Sequence, residues 1–192
     1  MSLVEFVGPA SSADMKNMRR NQKAPQRPGP GARIIGSIGA IALIVLAGSA
    51  EETMPGFAHE MLRTHNAVRQ KTGVPPLKWS DKLAAQAEDW AKTLAATGAS
   101  RMQGVPGQNI AYTTPPGRAN GADVVGAWAA EVTNYDHEKN SCIDAKLRCH
   151  HYTQVVWRNT NLIGCAVAHD AQRDIWVCDY DPPGNDAAES PY

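Results

Sequence analysis

The sequence predicts an α+β domain in which helices come first and a small antiparallel sheet follows. Two patterns carry that expectation. In three segments between residues 57 and 135 apolar side chains recur every three to four positions, whereas the segments beyond 152 are short runs rich in aromatic and β-branched residues; the change marks a switch from helix to strand. All four cysteines fall in the last third, Cys165 and Cys178 within expected strands and Cys142 and Cys149 just before the first of them.

The chain has 192 residues, 43% hydrophobic and 20% charged, which suits one globular domain with a tail. Its zero formal charge hides an asymmetry. Residues 1–33 carry six basic and two acidic groups, a net +4; residues 51–192 carry 13 basic and 17 acidic groups, a net −4. A mildly acidic body does not suit nucleic-acid binding, so no such partner is expected. Residues 1–33 are polar and rich in Pro and Gly, and are expected to be disordered. Residues 34–50 are 17 uncharged, largely apolar positions ending in Gly48, Ser49 and Ala50. Basic head, apolar core and small residues make a signal-peptide pattern, with cleavage near Ala50 as the favoured reading. The length also allows a short or tilted membrane anchor, and a buried core helix is the third alternative. The first two place the rest of the chain outside the cell.

The elements follow in order. Phe57, Met61, His65 and Val68 give an amphipathic helix over residues 57–71 that stops at Gly73, before Pro75 and Pro76. Ser80 is the expected N-cap of a second helix, whose stripe is Leu83, Ala84, Ala87, Trp90, Ala91 and Leu94, ending at Gly98. Residues 99–121 read as loop. A third helix is expected from about Ala122 to Tyr135, with Val124, Trp128, Glu131 and Tyr135 on one face. Tyr152–Trp157 reads as a strand, rich in aromatic and β-branched residues. Asn159–Asn161 is a turn, and Ile163–Ala168 and Ile175–Tyr180 form a hairpin through Asp170–Arg173. A hairpin centred on Ala171 and Gln172 sets Cys165 opposite Cys178, within disulfide reach. Cys142–Cys149 is then the second bridge, closing a short loop. Four free thiols or a zinc cluster are the alternatives, although no CxxC pair is present.

Glu131 is the first chemical candidate. A carboxylate on an apolar helix face needs a partner, and His151 is the natural one. The pair could serve acid/base chemistry, form half of a metal site, or brace helix against sheet as a structural ion pair. His150, one strand position away, is expected to face the opposite side and be exposed. His65 is expected to be a satisfied core histidine, and His59, His137 and His169 surface or loop residues. No serine sits in a nucleophile elbow and no glycine-rich phosphate loop follows a strand. The tryptophans are expected in the core.

The run Cys149-His150-His151-Tyr152-Thr153-Gln154-Val155-Val156-Trp157-Arg158 resembles the GHYTQVVW signature of the CAP superfamily. That superfamily holds cysteine-rich secretory proteins, venom antigens (antigen 5) and class 1 pathogenesis-related proteins. His65-Asn66-Ala67-Val68-Arg69 matches its HNxxR motif and Trp128-Ala129-Ala130-Glu131 its WxxE motif. Val74–Trp79 and Cys178–Asn185 fit as well. The resemblance spans residues 57–187, leaving 188–192 as a C-terminal tail. It implies a three-layer α-β-α sandwich and agrees with both bridges; the cysteines of the plant branch's third disulfide are absent.

The resemblance also implies a cleft of two His and two Glu able to bind a divalent metal. Here only Glu131 and His151 match. Gln108 stands where the family has Glu, in Gly107-Gln108-Asn109, and Gln103 aligns with the second His. Zinc prefers imidazole, thiolate and carboxylate, so no cofactor is expected beyond weak binding of a divalent metal such as zinc at Glu131 and His151. Gln103 and Gln108 could still hydrogen-bond that pair and keep a polar cleft. The loop Asn134–His150 matches the family's sterol-binding loop in position, though its residues are largely charged. Three functions are therefore expected in order: an extracellular module binding a lipid (sterol or fatty acid) or a partner; a metal-assisted hydrolase or protease using Glu131 and His151; and an extracellular interaction scaffold.

Overall fold

The computed structural model describes residues 56–99 and 106–192. The expectations for residues 1–33 and 34–50, and for Gln103, lie outside the described residues. Among the described residues no helix is long and apolar enough to cross a membrane.

The elements run α1 (Gly56–Thr72), β1 (Lys78–Trp79), α2 (Asp81–Thr97), β2 (Gln108–Thr113) and α3 (Gly121–Ala130). A 3-10 turn (Glu131–Asn134) leads to β3 (Tyr135–Asp136), β4 (Ser141–Cys142), α4 (His150–Val155), β5 (Leu162–His169) and β6 (Asp174–Asp181). The local signals explain most boundaries. Gly73 takes φ +70° after α1, a conformation glycine adopts freely. Ser80 accepts the Leu83 amide at the start of α2, and Gly98 closes that helix at φ 66°. Asn120 and Asp123 form a capping box at α3.

Four strands make the main sheet in the order β1-β5-β6-β2. The β5–β6 hairpin has the expected register, Cys165 opposite Cys178, and the two are bonded with Cα atoms 4.1 Å apart. Cys142 and Cys149 form the other bridge. Strand alternation divides the core into two layers. Ala166, Ala168, Ile175, Val177 and Ile110 meet Ala87, Ala91 and Leu94 of α2. Ile163, Cys165, Trp176, Cys178 and Tyr180 turn to the other face, towards Met61, Val125, Trp128 and Val155 of α1, α3 and α4. The result is an α-β-α sandwich. Each fully buried aliphatic side chain in these layers contributes about 1.5–3 kcal/mol. At Gly164 the backbone of α2 comes so close that a Cβ would collide with the Ala84 nitrogen, so α2 rests directly on β5.

Five expectations are corrected. Tyr152–Trp157 is not a strand: its first four residues belong to helix α4, whose ends are held by charged side chains from elsewhere, as described below. His150 and His151 therefore stand on a helix, not a strand, although His150 is exposed as expected. Residues 99–121 are not all loop, because Gln108–Thr113 is the β2 edge strand paired along its length with β6. The third helix ends at Ala130, tightens into the 3-10 turn and delivers Tyr135 to β3. The sheet is also not wholly antiparallel, since β1 runs parallel to β5.

The segment after β6 packs against the body. The Arg158 amide donates to the Pro191 carbonyl at 2.7 Å, and Tyr192 joins Tyr135, Tyr152 and His137 in an aromatic group.

Candidate functional site

The site is built around α4. This helix has six residues and its N-cap, Cys149, offers no side-chain hydrogen bond. Glu131, at the end of α3, supplies what is missing. Its Oε2 accepts the backbone amides of His151 at 3.0 Å and Tyr152 at 3.4 Å, while Oε1 accepts from His151 Nδ1 at 2.7 Å. A carboxylate at the start of a helix satisfies free amides and opposes the helix dipole. Trp128 stacks on the His151 ring with centroids 6.0 Å apart. Both side chains remain partly open to solvent, His151 at 20% and Glu131 at 15% exposure.

The other end of α4 is held by Arg69 of α1, which is wholly buried. Its guanidinium donates to the carbonyls of Val155, Trp157 and Thr160 at 2.9–3.1 Å, and Nε donates to the Pro75 carbonyl at 2.7 Å. Burial lowers the guanidinium to about 10, leaving it charged at neutral pH. A six-residue segment with strand-forming side chains is thus helical because a carboxylate and a guanidinium from two other elements satisfy its ends.

Behind His151 runs a buried polar chain. Asn109 Nδ2 donates to the His151 carbonyl at 3.1 Å and to the Tyr180 hydroxyl at 3.3 Å. Tyr180 donates to His65 Nε2 at 2.8 Å, and His65 Nδ1 donates to the Met61 carbonyl at 2.8 Å. The carbonyl can only accept, which fixes the His65 tautomer. Burial pulls His65 down to about 4, with the Met61 bond opposing and Arg69 adding to the shift, and burial pushes the Tyr180 phenol up. Asn66 pairs with both the amide and the carbonyl of Leu77. His65, Asn66 and Arg69, the three named positions of HNxxR, therefore bond to protein groups of the core.

Gln108 points elsewhere. Its Nε2 donates to Asp179 at 2.8 Å, and alternation along β2 sets it on the sheet face opposite Asn109. Burial pushes the Asp179 carboxyl up while the Gln108 bond lowers it. The structure thus brings Glu131 and His151 together and directs Gln108 to a different partner. Asn109, Tyr180 and Arg69 complete the surroundings, and sequence reasoning had assigned none of them to the site. Arg69 carried one signal: it continues the buried i, i+4 series of Met61 and His65.

The family model for the cysteine-rich secretory protein family, CAP, matches residues 62–180. This chain belongs to the CAP family. It is of the pathogenesis-related type: pathogenesis-related protein 1A of Nicotiana tabacum is 41% identical over 135 residues, covering 69% of this chain and 79% of that protein. Pathogenesis-related protein 1 of Arabidopsis thaliana is 34% identical over 157 residues, covering 81% and 92%. Among solved structures, Schistosoma mansoni venom allergen-like protein 4 superposes with a TM-score of 0.58 at 27% identity, covering 72% of this chain and 95% of that one.

The metal cleft implied for a CAP domain can be tested on the donors of this one. Glu131 already accepts three hydrogen bonds, two of them from backbone amides. Gln108 is a neutral amide bound to Asp179. Among the described residues only Cys142, Cys149 and His150 place three metal-type donors within 4.8 Å of one another, and the two sulfurs are joined as a disulfide. This donor set does not fit zinc, which takes four imidazole, thiolate or carboxylate ligands in structural sites and three plus water in catalytic ones.

Proposed function

We propose that this CAP protein works outside the cell as a binding module for an amphiphile, a sterol or a fatty acid, and not as a metal-assisted hydrolase. The observation that carries this reading is the employment of Glu131. A general base needs a free lone pair aimed at its substrate, whereas both oxygens of this carboxylate hold α4 and His151 in place. The surface beside the pair suits an amphiphile better. Ile143 is 62% exposed, and Val132 and Leu147 are 44% exposed. They belong to the 3-10 turn and to the bridged loop, which are joined by the Ile143 amide donating to Asn134. The charges that made this loop read as polar are partly engaged: Asp136 pairs with Lys139, and Asp144 accepts the Lys146 amide within its own turn. Two formed disulfides, the secretory family description and the 34–50 segment support an extracellular location.

Hydrolysis has one observation on its side, since Glu131 orients His151 and leaves Nε2 with no hydrogen-bond partner among the described residues. Among the described residues no serine, threonine or cysteine is hydrogen-bonded to that nitrogen, so a nucleophile is wanting.

The test uses radiolabelled sterol and fatty acid. The full chain should bind one of them saturably, and the pair Ile143→Asp with Leu147→Asp should weaken binding by about tenfold or more. No binding of either ligand by the unaltered chain, or unchanged binding by the variant, would count against the proposal. Zinc titration by calorimetry should show millimolar affinity or none; micromolar affinity would reopen the metal reading.

A further inference from the structure

β1 covers only the beginning of β5. Lys78 pairs with Leu162 and Trp79 with Ile163; from Gly164 to His169 the strand has β6 on one side and, among the described residues, no strand on the other. The Ile163 carbonyl accepts the Ser80 amide on the β1 side. By the two-residue period, Cys165, Val167 and His169 direct their N–H and C=O groups to that same side, where the described residues provide no partner. Such an edge is a template for another strand.

Two clefts lie along this edge, lined by α2 and in one of them also by Phe57 of α1, and they meet at Val167. One, about 390 Å³, carries Asp81 and Glu88; the other, about 460 Å³, carries Lys92 and His169. We infer that this edge docks a second copy of the chain, β5 pairing antiparallel with the partner's β5 about a two-fold axis at Val167. The axis lays the acidic cleft of each copy over the basic cleft of the other, so Glu88 of each copy meets Lys92 of the other. Register follows from β1, which occupies the edge beyond Gly164 and limits the new ladder to residues 165–169. α2 packs over both β5 and β6. α2 leans towards β5, so with strands about 4.8 Å apart the two α2 helices come to about 8 Å, the close end of helix packing. Ala85 and Ala96, flanking Glu88 and Lys92 on the cleft side of α2, leave room for that approach.

The full chain is expected to sediment as a dimer at about 0.1 mM. The Val167 and His169 amides should exchange with deuterium more slowly there than after dilution to monomer. Glu88→Lys or Lys92→Glu alone sets like charges together twice over, because of the symmetry, and should weaken the dimer by about tenfold or more. The double exchange should restore it. Both side chains are more than half exposed and pair with each other along the helix, so the variants fold as the parent does. A monomer at every concentration, unprotected edge amides in a dimer, single variants without effect, or a double variant no better than the singles would overturn the inference.

Discussion

At the scale of single residues, His65 shows how burial and hydrogen bonding fix a protonation state. Its ring is inaccessible and both nitrogens are committed. The folded value of about 4 lies below the ordinary 6.5, chiefly because burial disfavours the imidazolium. The unfolded chain therefore binds a proton that the folded chain refuses between those two values, and stability must fall as pH drops from about 6.5 to about 4, by about 3 kcal/mol in all. Urea unfolding at pH 7, 5 and 4 should show the gap in stability between the unaltered chain and His65→Asn narrowing as pH falls; a constant gap would contradict the assignment. The sequence marked His65 as a satisfied core residue from helical spacing alone. Its partner Tyr180 lies 115 positions away, and no local period connects the two. Glu131 and His151 were readable as partners because a carboxylate on an apolar face demands one. That the same carboxylate also serves the amides of α4 was not readable, because the segment's composition suggested a strand.

At the scale of elements, α4 and β2 show where local signals lose to tertiary context. Val155, Val156 and Tyr152 favour strands on average, yet Arg69 and Glu131 offer this backbone partners only as a helix. β2 hid among the Pro and Gly of residues 99–121, since Gln108 and Asn109 disguise a strand whose apolar members are Ile110 and Ala111. The helices were legible because each had both a period and a stop signal, as at Gly73 and Gly98. Arg69→Met should destabilise the protein by more than about 3 kcal/mol, since it strips three buried carbonyls and the partly exposed Pro75 carbonyl of their donor at once. Arg69→Lys should recover only part of that, because an ammonium cannot span the guanidinium's fork. Thermal unfolding of the two variants checks the order; equal losses would mean that charge, not geometry, holds the helix.

At the scale of the whole molecule, two covalent bridges brace different things. Cys165–Cys178 ties neighbouring central strands across a sequence separation of 13, and Cys142–Cys149 closes a separation of 7 beside α4. Loop-closure entropy makes the first worth about 3 kcal/mol and the second about 2. Denaturant midpoints of the paired Cys→Ala variants should follow that order, with the sheet bridge the costlier loss. This was the most legible long-range feature, because hairpin arithmetic needs only a turn centre. The stacking of layers required the family resemblance. Holding α4 at both ends from afar has a temporal consequence. Six residues are too few to persist as a helix alone, and the clamps come from positions 20 and 86 residues away. This piece of secondary structure must therefore condense late, after the first and third helices have met the sheet. Its amides would be the last to gain protection during refolding and, on the native side of the barrier, the first to give way.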